Sequence, residues 1–110
     1  MAQFDVHRNT GRRKETIPFV VVVQSSQFDG YRRRVVVPLV KASKLGRTEL
    51  PHFNPTFEVL GTLVVLHPLE TVSVAVDQLG AKAGSLSAEG QQIIAALDEL
   101  VSRAWDVTPR

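Results

Sequence analysis

Two apolar runs of strand length constrain this chain more than anything else in it. Phe19-Val20-Val21-Val22-Val23 and Val35-Val36-Val37-Pro38-Leu39 are dominated by valine and separated by a polar stretch containing Asp29-Gly30. Branching at Cβ stiffens χ1 and suits a pleated surface better than a helix. Unbroken apolar character over so few residues predicts strands covered on both faces. With a polar loop and an Asp-Gly turn signal between them, the runs read as an antiparallel hairpin, the second strand starting at Arg34. Pro18, which has no N–H for a ladder, marks the start or the edge of the first run.

The remaining segments extend this β character. Phe4-Asp5-Val6-His7 alternates apolar and polar residues, as a half-buried opening strand does, and Arg8 to Lys14 is a polar turn around Gly11. Val40 to Leu50 loses its period and reads as loop or a single helical turn. Phe57–Leu60 and Leu63–Leu66 form a strand pair about a tight turn, closed by His67-Pro68. Thr71 to Asp77 alternates for seven residues, with Val72, Val74 and Val76 on one face. Lys82 to Ser87 is a small-residue linker. Ser87 is the expected helix N-cap, with Glu89 in the first turn. Ile93, Ile94, Leu97, Leu100, Val101 and Ala104 then make one apolar stripe at helical spacing. The fold class is mainly β with a C-terminal α-helix, a small barrel-like sheet with the helix packed on it.

A chain of 110 residues, 44% hydrophobic, supports one domain over 1–110. It has no cysteine, which removes disulfides and thiolate metal sites and fits a reducing cytoplasm. No run approaches the ~18 apolar residues of a membrane span, so a soluble intracellular protein is expected. Charge is uneven. Residues 1–47 hold ten Lys/Arg against three acids, a balance of +7, and residues 48–110 hold three against eight, or −5. One face should therefore attract an anionic partner.

Chemistry-bearing motifs are sparse. His7, His52 and His67 lie far apart without ligand spacing, and Gly80 and Gly84 do not form a phosphate loop. No metal, cofactor or catalytic residue is expected. Arg12-Arg13-Lys14 and Arg32-Arg33-Arg34 could clamp phosphate or carboxylate, or serve only to keep edge strands from pairing. With only Phe28 and Tyr31 near the second cluster, direct nucleic-acid binding is not expected. Trp105, the single tryptophan, is either core or a partner anchor.

Phe19-Val20-Val21-Val22-Val23-Gln24-Ser25, the loop, and Arg33-Arg34-Val35-Val36-Val37-Pro38-Leu39 resemble the F-V-x-V-Q-S, loop, R-R-x-V-I-P-L pattern of the CcdB toxin family. The opening strand, Val72–Val76 and the terminal helix follow in the family's order. The resemblance implies an SH3-like small barrel (the CcdB/Kid-type toxin fold), a homodimer, and the toxin of a type II toxin–antitoxin pair. Such a toxin is not an enzyme: it binds the A subunit of DNA gyrase and traps the cleaved gyrase–DNA complex. A cognate CcdA-like antitoxin, wrapping the toxin with a disordered acidic segment, would suit the basic first half. The implied gyrase contacts fall on Ser26, Gln27 and Phe28 after the Gln-Ser pair, and on Val101, Ala104, Trp105, Asp106 and Val107 at the chain end. There the family's Trp-Gly-Ile reads Trp105-Asp106-Val107, followed by a three-residue tail. Two alternatives stand beside this: an mRNA-interferase ribonuclease on the same fold, drawing on His7 and Arg32–Arg34, and a non-toxic member that still binds its antitoxin.

Overall fold

The two valine-rich runs pair as expected, and the second is the axis of the molecule. In the computed structural model, which describes residues 2–46 and 50–103, they are β2 (Phe19–Val22) and β3 (Arg33–Lys41). Around them lie β1 (Asp5–Arg8), a short helix α1 (Ala42–Leu45), β4 (Thr56–Val59), β5 (Thr62–Leu66), β6 (Val72–Ala75) and β7 (Lys82–Ser85). Helix α2 (Gly90–Asp98) continues into a π-helical turn, Glu99–Arg103. The strand order is β4-β5-β3-β2-β1-β7, with β6 also on β3, and these pairings are antiparallel.

One edge of β3 is shared. Arg33 to Val36 pair with β6, and Leu39 to Lys41 pair with β5. Pro38 sits at the division. In an antiparallel strand a residue's N–H and C=O face the same edge. The Pro38 carbonyl accepts from the His67 N–H at 3.1 Å, so the N–H that proline lacks points into the gap between β5 and β6. A proline is thereby tolerated in the middle of a sheet without losing a ladder bond. The division lets the sheet curl into a half-barrel.

Alternation along β2 and β3 sends Phe19, Val21, Val37 and Leu39 to one face, where they join Val6, Phe57, Val64 and Leu66 under Ile93 and Ala96 of α2. On the other face Val22, Val36 and Val40 are also buried, as the unbroken valine runs require. Ile93 is fully buried, and burial of a side chain that size is worth about 1.5–3 kcal/mol.

Four local expectations are corrected. Lys82–Ser85 is a strand rather than a linker; it pairs with β1, placing Asp5 opposite Ser85 and Val6 opposite Gly84. Because β1 is thus interior, its polar residues are buried too. Asp5 accepts from the Ala2 N–H at 3.0 Å and meets the Lys82 ammonium at 3.3 Å, while His7 Nδ1 lies 2.9 Å from the Gly80 carbonyl. The Thr71–Asp77 segment is a strand as expected but only over Val72–Ala75, at an edge with Val72 exposed, and Val76–Gln78 turns off as a 3₁₀ helix. Ser87 opens a 3₁₀ turn over Ser87–Glu89 and makes no side-chain cap bond; the α-helix starts at Gly90. The apolar stripe divides: Ile93 and Ala96 face the core, Ile94 lies about 100° further round the helix and faces out, and Leu100 and Val101 are exposed on the π turn.

The β4–β5 turn consists of Leu60 and Gly61, both at positive φ (50° and 77°), the two-residue type I′ geometry. Leucine resists the left-handed region by about 1–2 kcal/mol. Leu60→Asn should therefore stabilise the protein by about 1 kcal/mol, read as a higher urea midpoint at unchanged m-value.

Candidate functional site

The loop after β2 is built from both ends. Beyond Gln24-Ser25, residues Ser26–Phe28 form a 3₁₀ turn, with the Phe28 N–H donating to the Ser25 carbonyl (3.2 Å) and Asp29 N–H to Ser26 (3.0 Å). Tyr31 N–H donates back to the Phe28 carbonyl at 3.0 Å. The turn leaves Ser26, Gln27 and Phe28 exposed, and the Phe28 ring tilts 47° against Tyr31 at 6.1 Å. An exposed aromatic held by a turn is a ready contact for a protein partner.

Arginine supplies the frame. Arg33 binds Ser73 of the edge strand through its hydroxyl (2.7 Å) and its carbonyl (2.6 Å). Arg34 is 5% exposed and turns its guanidinium into the loop. It donates to the carbonyls of Tyr31 (2.6 Å), Asp29 (2.9 Å), Arg33 (2.9 Å) and Phe28 (3.4 Å), and its charge faces the Asp29 carboxylate at 3.6 Å. On the other side of the loop, Gln24 Oε1 accepts the Val35 N–H. The Arg32–Arg34 cluster, which the sequence left as either an anion clamp or edge-strand protection, is thus three different residues, with Arg33 and Arg34 given to these internal contacts. Arg13 of the first basic cluster is exposed and meets Glu70 at 3.3 Å.

Nor does the register bring His7 to Arg34. His7 lies opposite Val20, and Val20 opposite Pro38; four residues along β3 from there to Arg34 is about 13 Å, with β2 between. Among the described residues no group of three or more His, Asp or Glu converges as a metal site would.

Val101, on the π turn that follows the helix, is 77% exposed. Ala104, Trp105, Asp106 and Val107 lie outside the described residues. A groove of about 550 Å³ runs beside the helix, lined by Gln3, Phe4, Gly90, Ile94 and Asp98 among others. Gln3 connects the two regions. Its amide donates to the Val23 carbonyl at 2.9 Å, at the root of the Phe28 loop, while its side chain borders the groove.

Sequence reasoning missed Gln3 and Phe4 as site residues. Phe4 sits at φ 71°, rare for an aromatic residue. Its ring lies so close to the helix start that a Cβ on Gly90 would come within 2.6 Å of Phe4 Cε2. The available signal was Gly90 inside a helical pattern, which marks close approach by a neighbour.

A family profile described as CcdB protein matches residues 3–102. With the antiparallel half-barrel and its C-terminal helix, this match defines a toxin of a toxin–antitoxin system. The chain belongs to the CcdB family. Comparison with the curated proteins finds no match.

The Phe4–Gly90 contact is directly testable. Gly90→Ala should destabilise by about 1–3 kcal/mol through overpacking. In a Phe4→Ala background most of that cost should vanish. A double-mutant cycle by urea unfolding should give at least ~1 kcal/mol of coupling.

Proposed function

We propose that this toxin acts by binding, engaging the A subunit of DNA gyrase and trapping the cleaved gyrase–DNA complex, without itself catalysing a reaction. The observation that carries this reading is the display of apolar side chains at two places: Phe28 on a turn held from within, and Val101 on the exposed end of the helix. Ser26 and Gln27 flank the first, and Ala104, Trp105, Asp106 and Val107 follow the second; these eight are the proposed contact set. Apolar anchors on rigid supports suit recognition of another protein.

The groups a ribonuclease would need are otherwise engaged. Arg34 is spent on loop carbonyls and Arg33 on Ser73, and His7 stands apart from both with β2 between, so the residues the ribonuclease reading drew on do not converge. This supports the binding reading over the interferase one.

Partners follow from the same reading: a homodimer, and a CcdA-like antitoxin whose acidic segment is drawn to the basic first half of the chain. Arg8, Arg12, Lys14 and Arg32 are exposed there. A toxin that acts on gyrase meets its target in the cytoplasm, and among the described residues no helix is long and apolar enough to cross a membrane.

Purified protein is incubated with gyrase and supercoiled plasmid, and separately with RNA. Linear plasmid recovered only with gyrase is the expected result. RNA degraded without gyrase would assign a ribonuclease instead, and neither outcome would indicate a non-toxic antitoxin binder. Phe28→Ala and Val101→Asp should each weaken trapping about tenfold or more, the ~1.4 kcal/mol of a contact residue. Trp105→Ala should abolish it. Phe28 and Val101 are exposed, so those two variants should keep thermal stability within about 0.5 kcal/mol of the parent.

A further inference from the structure

A guanidinium with almost no access to solvent is costly unless its N–H groups and its charge are met. Arg34 is such a group, and what meets it is informative. Four of its hydrogen-bond partners are backbone carbonyls of Phe28, Asp29, Tyr31 and Arg33, all within the six residues that precede it, and the nearby counter-charge is Asp29 in the same loop. It is the two Nη groups that bind the loop, while Nε has no hydrogen-bond partner. A carbonyl-rich concave loop wrapped on one fixed cation can hold few other shapes, because each alternative leaves acceptors and charge unmatched.

The loop's opposite end is fixed by a second side chain. Where β2 stops, Gln24 supplies its amide oxygen to the Val35 N–H, in place of a backbone carbonyl. The loop is therefore closed between a glutamine at its entrance and an arginine at its exit. Phe28 and Tyr31, whose rings meet outside, ride on the segment between them.

We infer that Arg34 is a positioning residue for partner binding: with Gln24 it pre-orders the Ser25–Tyr31 loop so that Phe28 is presented in its bound conformation. The inference rests on the proposed role of that loop in gyrase binding. Arg34 touches no partner in this scheme. It lowers the ordering cost that a mobile loop would meet on association, and so acts only through the backbone it holds.

This makes a prediction that a direct contact or a purely structural residue would not share. Arg34→Lys keeps the charge but replaces a planar five-donor fork with a single ammonium that cannot span four carbonyls. Amide hydrogen exchange of the protein alone should then accelerate at least tenfold at Phe28, Asp29 and Tyr31, while Val21 and Val37 in the β2–β3 ladder keep their protection. Affinity for the purified gyrase A subunit, measured by titration calorimetry, should fall about tenfold or more.

Gly30→Ala supplies the rescue. Space for a Cβ is open at Gly30 and its φ is not in the left-handed region. The substitution should thus stiffen the loop without a clash, recovering about two- to fivefold of the affinity lost in Arg34→Lys. Unchanged loop exchange in Arg34→Lys would overturn the inference. So would exchange that accelerates equally in the ladder, or an affinity loss that Gly30→Ala leaves untouched. Phe28→Ala in the parent protein separates the two readings. If gyrase affinity survives it, the loop is not the gyrase contact, while the exchange data still decide whether Arg34 orders the loop.

Discussion

The long strand β3 has one edge and two claimants for it, and the rest of the molecule follows from how that edge is divided. Pro38 makes the division possible without an orphaned donor, since its ring faces the gap left between β5 and β6. Had Pro38 stood one residue earlier or later, its missing N–H would have faced β2, and the ladder between the two valine runs would have lost a bond. The same division frees the first half of β3 to pair with a short, exposed strand, and this half carries Arg33 and Arg34. The residues that shape the Phe28 loop therefore stand on the most secure element of the fold. The loop inherits that security through side chains alone.

Much of this was legible in the sequence because it depended on local character. Valine runs announce strands buried on both faces, and β2, β3, β4 and β5 follow from composition and punctuation. What escaped was set by neighbours. Lys82-Ala83-Gly84-Ser85 has no branched or aromatic residue to suggest a strand; it is one because β1 offers an unpaired edge. Asp5 and His7 look like the wet side of a half-buried strand until β7 covers them. Thr71 to Asp77 has the best alternation in the chain and becomes an edge strand with Val72 in solvent, since period alone does not say whether anything lies on the apolar side.

The site divides in the same way. Ser26, Gln27, Phe28 and Val101 are exposed where the resemblance put contact residues, and their exposure follows from a turn and a helix end. Arg34 could not be read correctly from sequence. A run of three arginines suggests an anion clamp or a guarded strand edge, and only the three-dimensional path of the loop shows that one of them has turned inward to satisfy it. Phe4 was read as strand, yet its left-handed backbone and its contact with Gly90 make it part of the groove wall. Both misses concern side chains whose neighbours only the three-dimensional path of the chain supplies, and a sequence pattern carries little information about that.

The placement of β1 between β2 and β7 bears on how the protein comes into being. His7 and Gly80 are 73 positions apart, so the opening strand acquires its second neighbour only after the ribosome has made everything up to β7. Until then one flank of β1 is bare, with Asp5 lacking its lysine and His7 its carbonyl. Long-range closure of this kind slows folding and prolongs exposure of a sticky edge. The newborn toxin thus passes through an interval with its sheet incomplete.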